Sequence, residues 1–214
     1  MDCKIIFLGT AGNDTTYQHL KSAGGIILKF LEKQFHIDPG PGALISAREA
    51  GVNPKETNVL IATHNHLNHF NDVNAIINAM KGMNKTGTLI FSKSLSEEKF
   101  QKDFLKESFH LEANKIKHFG DILLKTLPTK HSDVHGFGLK FTTPNLTVTY
   151  TSDTGYSKEV VKTYKNSDIL ILNNVYPLNH KKSENNLSSE DSIKIIKKIK
   201  PSLAILTHFS TKML

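Results

Sequence analysis

The stretch Thr63-His64-Asn65-His66-Leu67-Asn68-His69 constrains this chain more than any other. Three histidines fall within six positions, directly after the apolar run Val59-Leu60-Ile61-Ala62. Neutral imidazole is the commonest protein ligand for zinc and related metals. His64 and His66 are two apart, so on extended backbone both side chains point the same way and can grip one ion. His69 lies beyond a turn, where it can face a second ion or back the first. The competing reading is three unrelated histidines, drawn from a total of 11.

Cys3 is the only cysteine, so the chain has no intrachain disulfide and no thiolate zinc cage. A metal site here must be built from His, Asp, Glu and water. At 214 residues the chain can bury a sizeable core. With no linker, repeat or low-complexity segment, a single domain over 1–214 is the simplest organisation. The 38% hydrophobic and 22% charged content is that of an ordinary globular protein. No apolar stretch approaches the ~20 residues needed to span a bilayer. The run Ile5-Ile6-Phe7-Leu8 is too short for a signal peptide, which predicts a cytoplasmic location. A net charge of +7 would favour anionic substrates, nucleic acid among them. Its plainer source is solvated lysine, as on the wet face of Lys194-Ile195-Ile196-Lys197-Lys198-Ile199-Lys200.

Strands are predicted at Cys3 to Gly9, Gly25 to Phe30 and Phe35 to Asp38, the last two forming a hairpin. Pro39-Gly40-Pro41-Gly42 is a loop, followed by a short helix near Ala43 to Ala50. Leu60 to Thr63 reads as a buried strand. Val73, Ile76, Ile77 and Met80 repeat at helical spacing. A strand at Leu89 to Phe91 and a polar helix from Ser96 to Lys106 close the first half. Strands follow at Ile122 to Leu127, Gly138 to Thr142, Thr147 to Thr151, Asp168 to Leu172 and Leu203 to Leu206. A helix is expected from Lys158 to Tyr164. Ser188 offers an N-cap with Asp191 three residues on; the helix behind it is expected to bury Ile193, Ile196 and Ile199 and to stop at Pro201. Strands early and helices late in each half suggest sheets inside and helices outside.

Four segments end an apolar strand with a metal-type side chain: Phe35-His36-Ile37-Asp38, Ile61-Ala62-Thr63-His64, Tyr150-Thr151-Ser152-Asp153 and Ile205-Leu206-Thr207-His208. Leu127-Pro128-Thr129-Lys130-His131 is a fifth of the kind. Any one of them alone is explained by a turn or a buried histidine. Repeated around a three-histidine cluster, they point to one shared site.

These residues resemble the motifs of the metallo-β-lactamase superfamily over nearly the whole chain. The hallmark H-x-H-x-D-H is matched by His64-x-His66-x-Asn68-His69. Ile37-Asp38-Pro39-Gly40-Pro41-Gly42 resembles the early aspartate loop. His131 ahead of Gly136-Phe137-Gly138 is similar to the third-motif histidine, and Ser152-Asp153-Thr154-Gly155 to the bridging aspartate. Leu206-Thr207-His208-Phe209-Ser210 resembles the final histidine motif in its ribonuclease Z form.

The resemblance implies an α/β fold, a four-layer αββα sandwich with its metal site at one sheet edge. It implies a first ion on His64, His66 and His131, a second on His69 and His208, and Asp153 bridging both. Zinc is the expected metal, one ion firmly bound and a second weaker, with manganese or iron as alternatives. The implied activity is hydrolysis by a metal-activated hydroxide, with Asn68 and Asp153 in catalytic roles. The substrate it favours is a phosphodiester, small or nucleic-acid; a lactone or other ester comes second. A catalytically weakened metal-binding protein is the alternative outside enzymology. No membrane partner is expected, and a homodimer is left open. Three departures bear on activity. Asn68 stands where the family carries an aspartate, and is also placed to cap the Val73 to Met80 helix. Asn186 stands where close relatives of the ribonuclease Z kind carry a histidine. The interval from His131 to Asp153 is too short for the tRNA-gripping arm.

Overall fold

A computed structural model describes residues 3–12, 22–81, 87–180 and 183–213. The chain divides into two compact units, Met1–Leu111 and Glu112–Leu214, each built on one sheet.

The first unit carries a six-stranded sheet in the order β1 to β6. Its strands are β1 (Lys4–Gly9), β2 (Ala23–Phe30), β3 (Lys33–Ile37), β4 (Thr57–Ala62), β5 (Thr88–Ser92) and β6 (Glu107–Leu111). β1, β2 and β3 pair antiparallel; β3 through β6 pair parallel. Parallel strands are covered on both faces, so β4 reads Val-Leu-Ile-Ala without alternation, and all four are buried. Helix α1 (Ala43–Glu49) follows the Pro39–Gly42 loop, the short α2 (Leu67–Phe70) follows the first histidines, and α3 (Val73–Met80) comes next. Val73, Ile76, Ile77 and Met80 of α3 are all buried in a cluster with Leu60, Ala62, Leu89 and Phe91. The helical period read from sequence is the face that packs on the sheet.

The second unit carries seven strands: β7 (Ile116–Phe119), β8 (Ile122–Pro128), β9 (Phe137–Thr142), β10 (Thr147–Tyr150), β11 (Ile169–Tyr176), β12 (Leu187–Ser188) and β13 (Leu203–Thr207). β7 through β10 are antiparallel neighbours, and β11 pairs parallel with β10, β12 and β13. Helices α4 (Lys158–Lys162) and α5 (Ser189–Ile199) pack Val160, Val161 and Ile195 against Leu170 and Leu172. Ser188 and Asp191 form the expected capping box, and α5 ends with Lys200 in the left-handed conformation just before Pro201. Among the described residues no helix is long and apolar enough to cross a membrane.

Three expectations are corrected. Ser96 to Lys106 is two short 3-10 turns, Glu97–Lys99 and Lys102–Phe104, instead of one helix. The Asn74 side chain of α3 accepts from Gln101 N at 3.0 Å and donates to Lys99 O at 2.7 Å. That clamp takes the backbone groups a continuous helix would use, while Phe100 and Leu105 anchor to the core. In α5 the buried isoleucine is Ile195, and Ile193 is 42% exposed. The inward face runs Ser192, Ile195, Ile196, Ile199, so Ile196 and Ile199 pack inward as expected and only Ile193 falls off the face, its place taken by Ser192 and Ile195. The third correction concerns Asn68, which lies inside α2; the N-cap of α3 is Asp72. Asp72 instead turns its carboxylate to Ala43 N at 3.0 Å, where it complements the N-terminal end of α1.

Candidate functional site

The first unit assembles its donors on the turn after β4. Asp38, just past β3, binds Thr63 twice: Thr63 N donates to Oδ1 at 2.8 Å and Thr63 Oγ1 to Oδ2 at 2.9 Å. This staples the ends of two neighbouring parallel strands. Asp38 holds φ 53, a left-handed conformation aspartate tolerates better than most residues. Gly40 lets the same loop press on α2, since a Cβ there would fall 2.0 Å from Asn68 O. The loop thereby sets the height of the helix that carries His69.

His64 emerges beside Thr63, its Nδ1 3.1 Å from Thr63 Oγ1. Its Nε2 lies 3.0 Å from His66 Nδ1. His69, on α2, places its ring 4.0 Å from that of His64 and its Nδ1 2.9 Å from Asp38 Oδ2. A carboxylate can only accept, so His69 donates from Nδ1 and Nε2 is the nitrogen suited to an ion. Asp38 is a brace for His69, which its place at a strand end did not reveal. His36, on the same strand, stands apart from the cluster with Nε2 2.8 Å from Gly24 O. Burial pushes its pKa down to about 4, against partial compensation from that carbonyl and from Asp38. It is a neutral core histidine.

The second unit assembles its donors around Asp153. Ser152, at φ 54, turns the chain past β10 so that Asp153 leaves the strand end. His208 follows β13 directly, also left-handed at φ 67, and its Nε2 lies 3.0 and 3.2 Å from the two Asp153 oxygens. Non-glycine residues in this region mark strained positions typical of functional sites. His131, beyond β8, puts Nε2 3.8 Å from Asp153 Oδ2 and Nδ1 2.7 Å from Asn185 O. Asn173 on β11 donates from Nδ2 to Asp153 Oδ1 at 2.7 Å and to Tyr150 Oη at 3.0 Å. It is buried and in register with Thr207, the residue before His208. Sequence reading missed Asn173; an amide directly after the apolar run Ile169-Leu170-Ile171-Leu172 was its only signal. Asn186 lies beside Asn185, with its backbone N–H on Ser183 Oγ at 3.2 Å.

Three residues from each unit thus offer metal-type donors: His64, His66 and His69, then His131, Asp153 and His208. Two nitrogens bound to one tetrahedral zinc at 2.0–2.1 Å are about 3.3 Å apart. The His64–His66 pair at 3.0 Å therefore needs only a small opening to hold an ion. Imidazole with carboxylate suits zinc and its first-row neighbours. The ring nitrogens of His69 and His131 that face away from the donor sets are engaged by a carboxylate and a carbonyl, the usual way a ligating histidine is oriented. The residues fit the group.

A family model described as a beta-lactamase superfamily domain matches residues 33–209. The chain belongs to the metallo-β-lactamase superfamily. Within it, the protein named "Uncharacterized protein MJ1374" of Methanocaldococcus jannaschii is 32% identical over 227 residues, covering 100% of this chain and 85% of that one. Among solved structures, the metallo-β-lactamase fold protein YhfI from Bacillus subtilis superposes with a TM-score of 0.82 at 20% identity, over 97% of this chain and 86% of that one. The short form of human tRNase Z superposes with a TM-score of 0.78 at 14% identity, over 97% of this chain and 93% of that one. The fold expected from the ordered motifs, mixed α/β with two sheets, is the fold this superfamily member has.

Proposed function

We propose that this superfamily member is a metal-dependent hydrolase acting on phosphodiesters, and that residues 1–214 work as a single functional domain. In this reading His64, His66 and His131 would hold a first ion and His69 and His208 a second, with Asp153 as the anionic ligand available to either. Bound zinc would supply an activated water near neutral pH and positive charge against the developing phosphoryl oxyanion. Asp153 brings the sole formal negative charge among the six and is held by Asn173, so its carboxylate is already oriented. Asp38 and the Asn185 carbonyl keep the proton on Nδ1 of His69 and His131, which leaves each Nε2 as a ligand lone pair. Asn68, buried in α2, contributes an amide of carboxylate-like reach without its charge.

The observation that carries the reading is the convergence of His64 Nε2 and His66 Nδ1 to 3.0 Å beside a braced His69. The phosphodiester choice draws support from the ribonuclease Z form of the Thr207-His208-Phe209-Ser210 motif, from the similarity to tRNase Z, and from the net charge of +7. Elemental analysis of purified protein, with a panel of bis(p-nitrophenyl) phosphate, a lactone and a thioester, tests it. One tightly held divalent ion and turnover of the phosphate ester are expected. Turnover of only the lactone would move the substrate class, and bound metal with no turnover would support a metal-binding protein.

A further inference from the structure

Beyond the ligand residues, Tyr176 at the end of β11 and His180 in the turn that follows form an aromatic pair that the hydrolytic reading does not use. Tyr176 and His180 stack with ring centroids 4.1 Å apart and planes 17° from parallel. Lys212 places its Nζ 5.8 Å from the Tyr176 ring, within cation–π range. Both rings are half-buried, Lys212 is exposed, and the neighbouring Leu178 is 54% exposed. The turn between the rings is held without them. Asn179 N donates to Glu190 Oε1 at 3.2 Å, and Tyr176 O accepts from Asn174 Nδ2 at 3.2 Å and Ser189 Oγ at 3.3 Å. The stack is thus not needed to close the turn, and it offers flat π surface to solvent on a fixed frame.

Its place in the fold matters most. β11 and β13 run parallel with Asn173 opposite Thr207. Ser210 continues the alignment, with both N and Oγ on Val175 O at 3.2 and 2.6 Å. Asn173 holds Asp153, and Thr207 precedes His208, so the ligand end of this strand pair leads directly to the platform. Tyr176 lies three residues past Asn173, about 10 Å along an extended strand.

We infer that Tyr176 and His180 form a stacking platform for a nucleoside carried by the phosphodiester substrate, with Lys212 beside it as counter-charge. The inference rests on the phosphodiester reading above. Stacking on aromatic faces accepts any base, and a nearby cation adds attraction to the phosphate. The substrate class is therefore a nucleotide ester or single-stranded nucleic acid in preference to a simple alkyl phosphodiester.

Two esters with the same leaving group test this: thymidine 5′-(p-nitrophenyl phosphate) and methyl p-nitrophenyl phosphate. The wild-type protein should favour the thymidine ester in kcat/KM. His180→Ala and Tyr176→Leu should each reduce that preference about ten-fold, as expected for one lost stacked base, with the methyl ester unaffected. Tyr176→Phe keeps the ring and should keep the preference. Equal losses on both esters, or an unchanged ratio in the variants, would overturn the platform. If neither ester turns over, the hydrolase reading fails separately, and calorimetric binding of thymidine 5′-monophosphate against methyl phosphate decides the platform. Weaker nucleotide binding in His180→Ala supports it, and identical binding refutes it.

Discussion

Asp38→Asn isolates the brace behind the candidate ligands. Asp38 is 3% exposed and takes three donors: Thr63 N, Thr63 Oγ1 and His69 Nδ1, at 2.8, 2.9 and 2.9 Å. Asparagine accepts the left-handed backbone as aspartate does, so the change tests chemistry and leaves backbone strain aside. It offers one acceptor oxygen in place of two. With that oxygen on Thr63 N, the new NH2 faces the threonine hydroxyl and His69 Nδ1. The hydroxyl can rotate to accept, whereas the imidazole must move its proton to Nε2, the nitrogen proposed to hold metal. Losing one hydrogen bond to a buried charge costs about 1.5–3 kcal/mol. For a chain of this size each kcal/mol shifts Tm by about 2–4 °C, so the metal-free protein should melt roughly 3–12 °C lower. Loss of such an orienting partner typically weakens metal affinity about 10–100-fold. Nitrogen-15 histidine spectra read the tautomer, and a zinc titration reads the affinity. An unchanged His69 tautomer with unchanged affinity for both ions would refute the argument.

Asn68→Asp should tighten the weaker ion and raise hydrolysis, because divalent ions favour carboxylate over amide. As Asn68 is 6% exposed, the metal-free variant should melt below wild type and regain stability as metal is added, which calorimetry with and without zinc would show. Asn173→Ala removes the hold on Asp153 and should weaken zinc binding about 10-fold or more with the fold retained by circular dichroism. The His36 pKa of about 4 lies below its unfolded value of 6.5, so the folded state binds fewer protons between those limits. That stability is complete above pH 6.5 and is lost as pH falls toward 4, by roughly 3 kcal/mol in all; urea midpoints should fall less steeply across this window in His36→Gln. Ile195→Ala should cost about 2–5 kcal/mol in urea unfolding, while Ile193→Ala on the exposed side of α5 should stay within about 1 kcal/mol.

What the sequence by itself determined is what short-range geometry carries. The two-residue spacing of His64 and His66 places them together whatever surrounds them, because a strand end alternates its side chains. The Ser188–Asp191 box, the α3 face and the Pro201 stop are settled within a few residues, and all three are present in the fold. Buried parallel strands such as β4 announce themselves as unbroken apolar runs. The edge strands β6 and β7 do not: Glu-Ser-Phe-His-Leu and Ile-Lys-His-Phe face solvent on much of their length and contain no unbroken apolar run. Tertiary structure alone decided the roles that depend on partners far along the chain. Asp38 looked like one more donor at a strand end; its bonds to Thr63 and His69, 25 and 31 residues away, make it a brace. Asn173 became the holder of Asp153 through a contact 20 residues back, and Asn74 broke the expected Ser96 to Lys106 helix through one 27 residues ahead. Asn68 has the chemistry of a helix cap, but the chain entered α2 one residue earlier, and the N-cap position of α3 fell to Asp72, whose carboxylate serves Ala43 N of α1. A side chain's chemistry is local, whereas the group that claims its hydrogen bonds is chosen by strand pairing and packing, which no window of sequence contains.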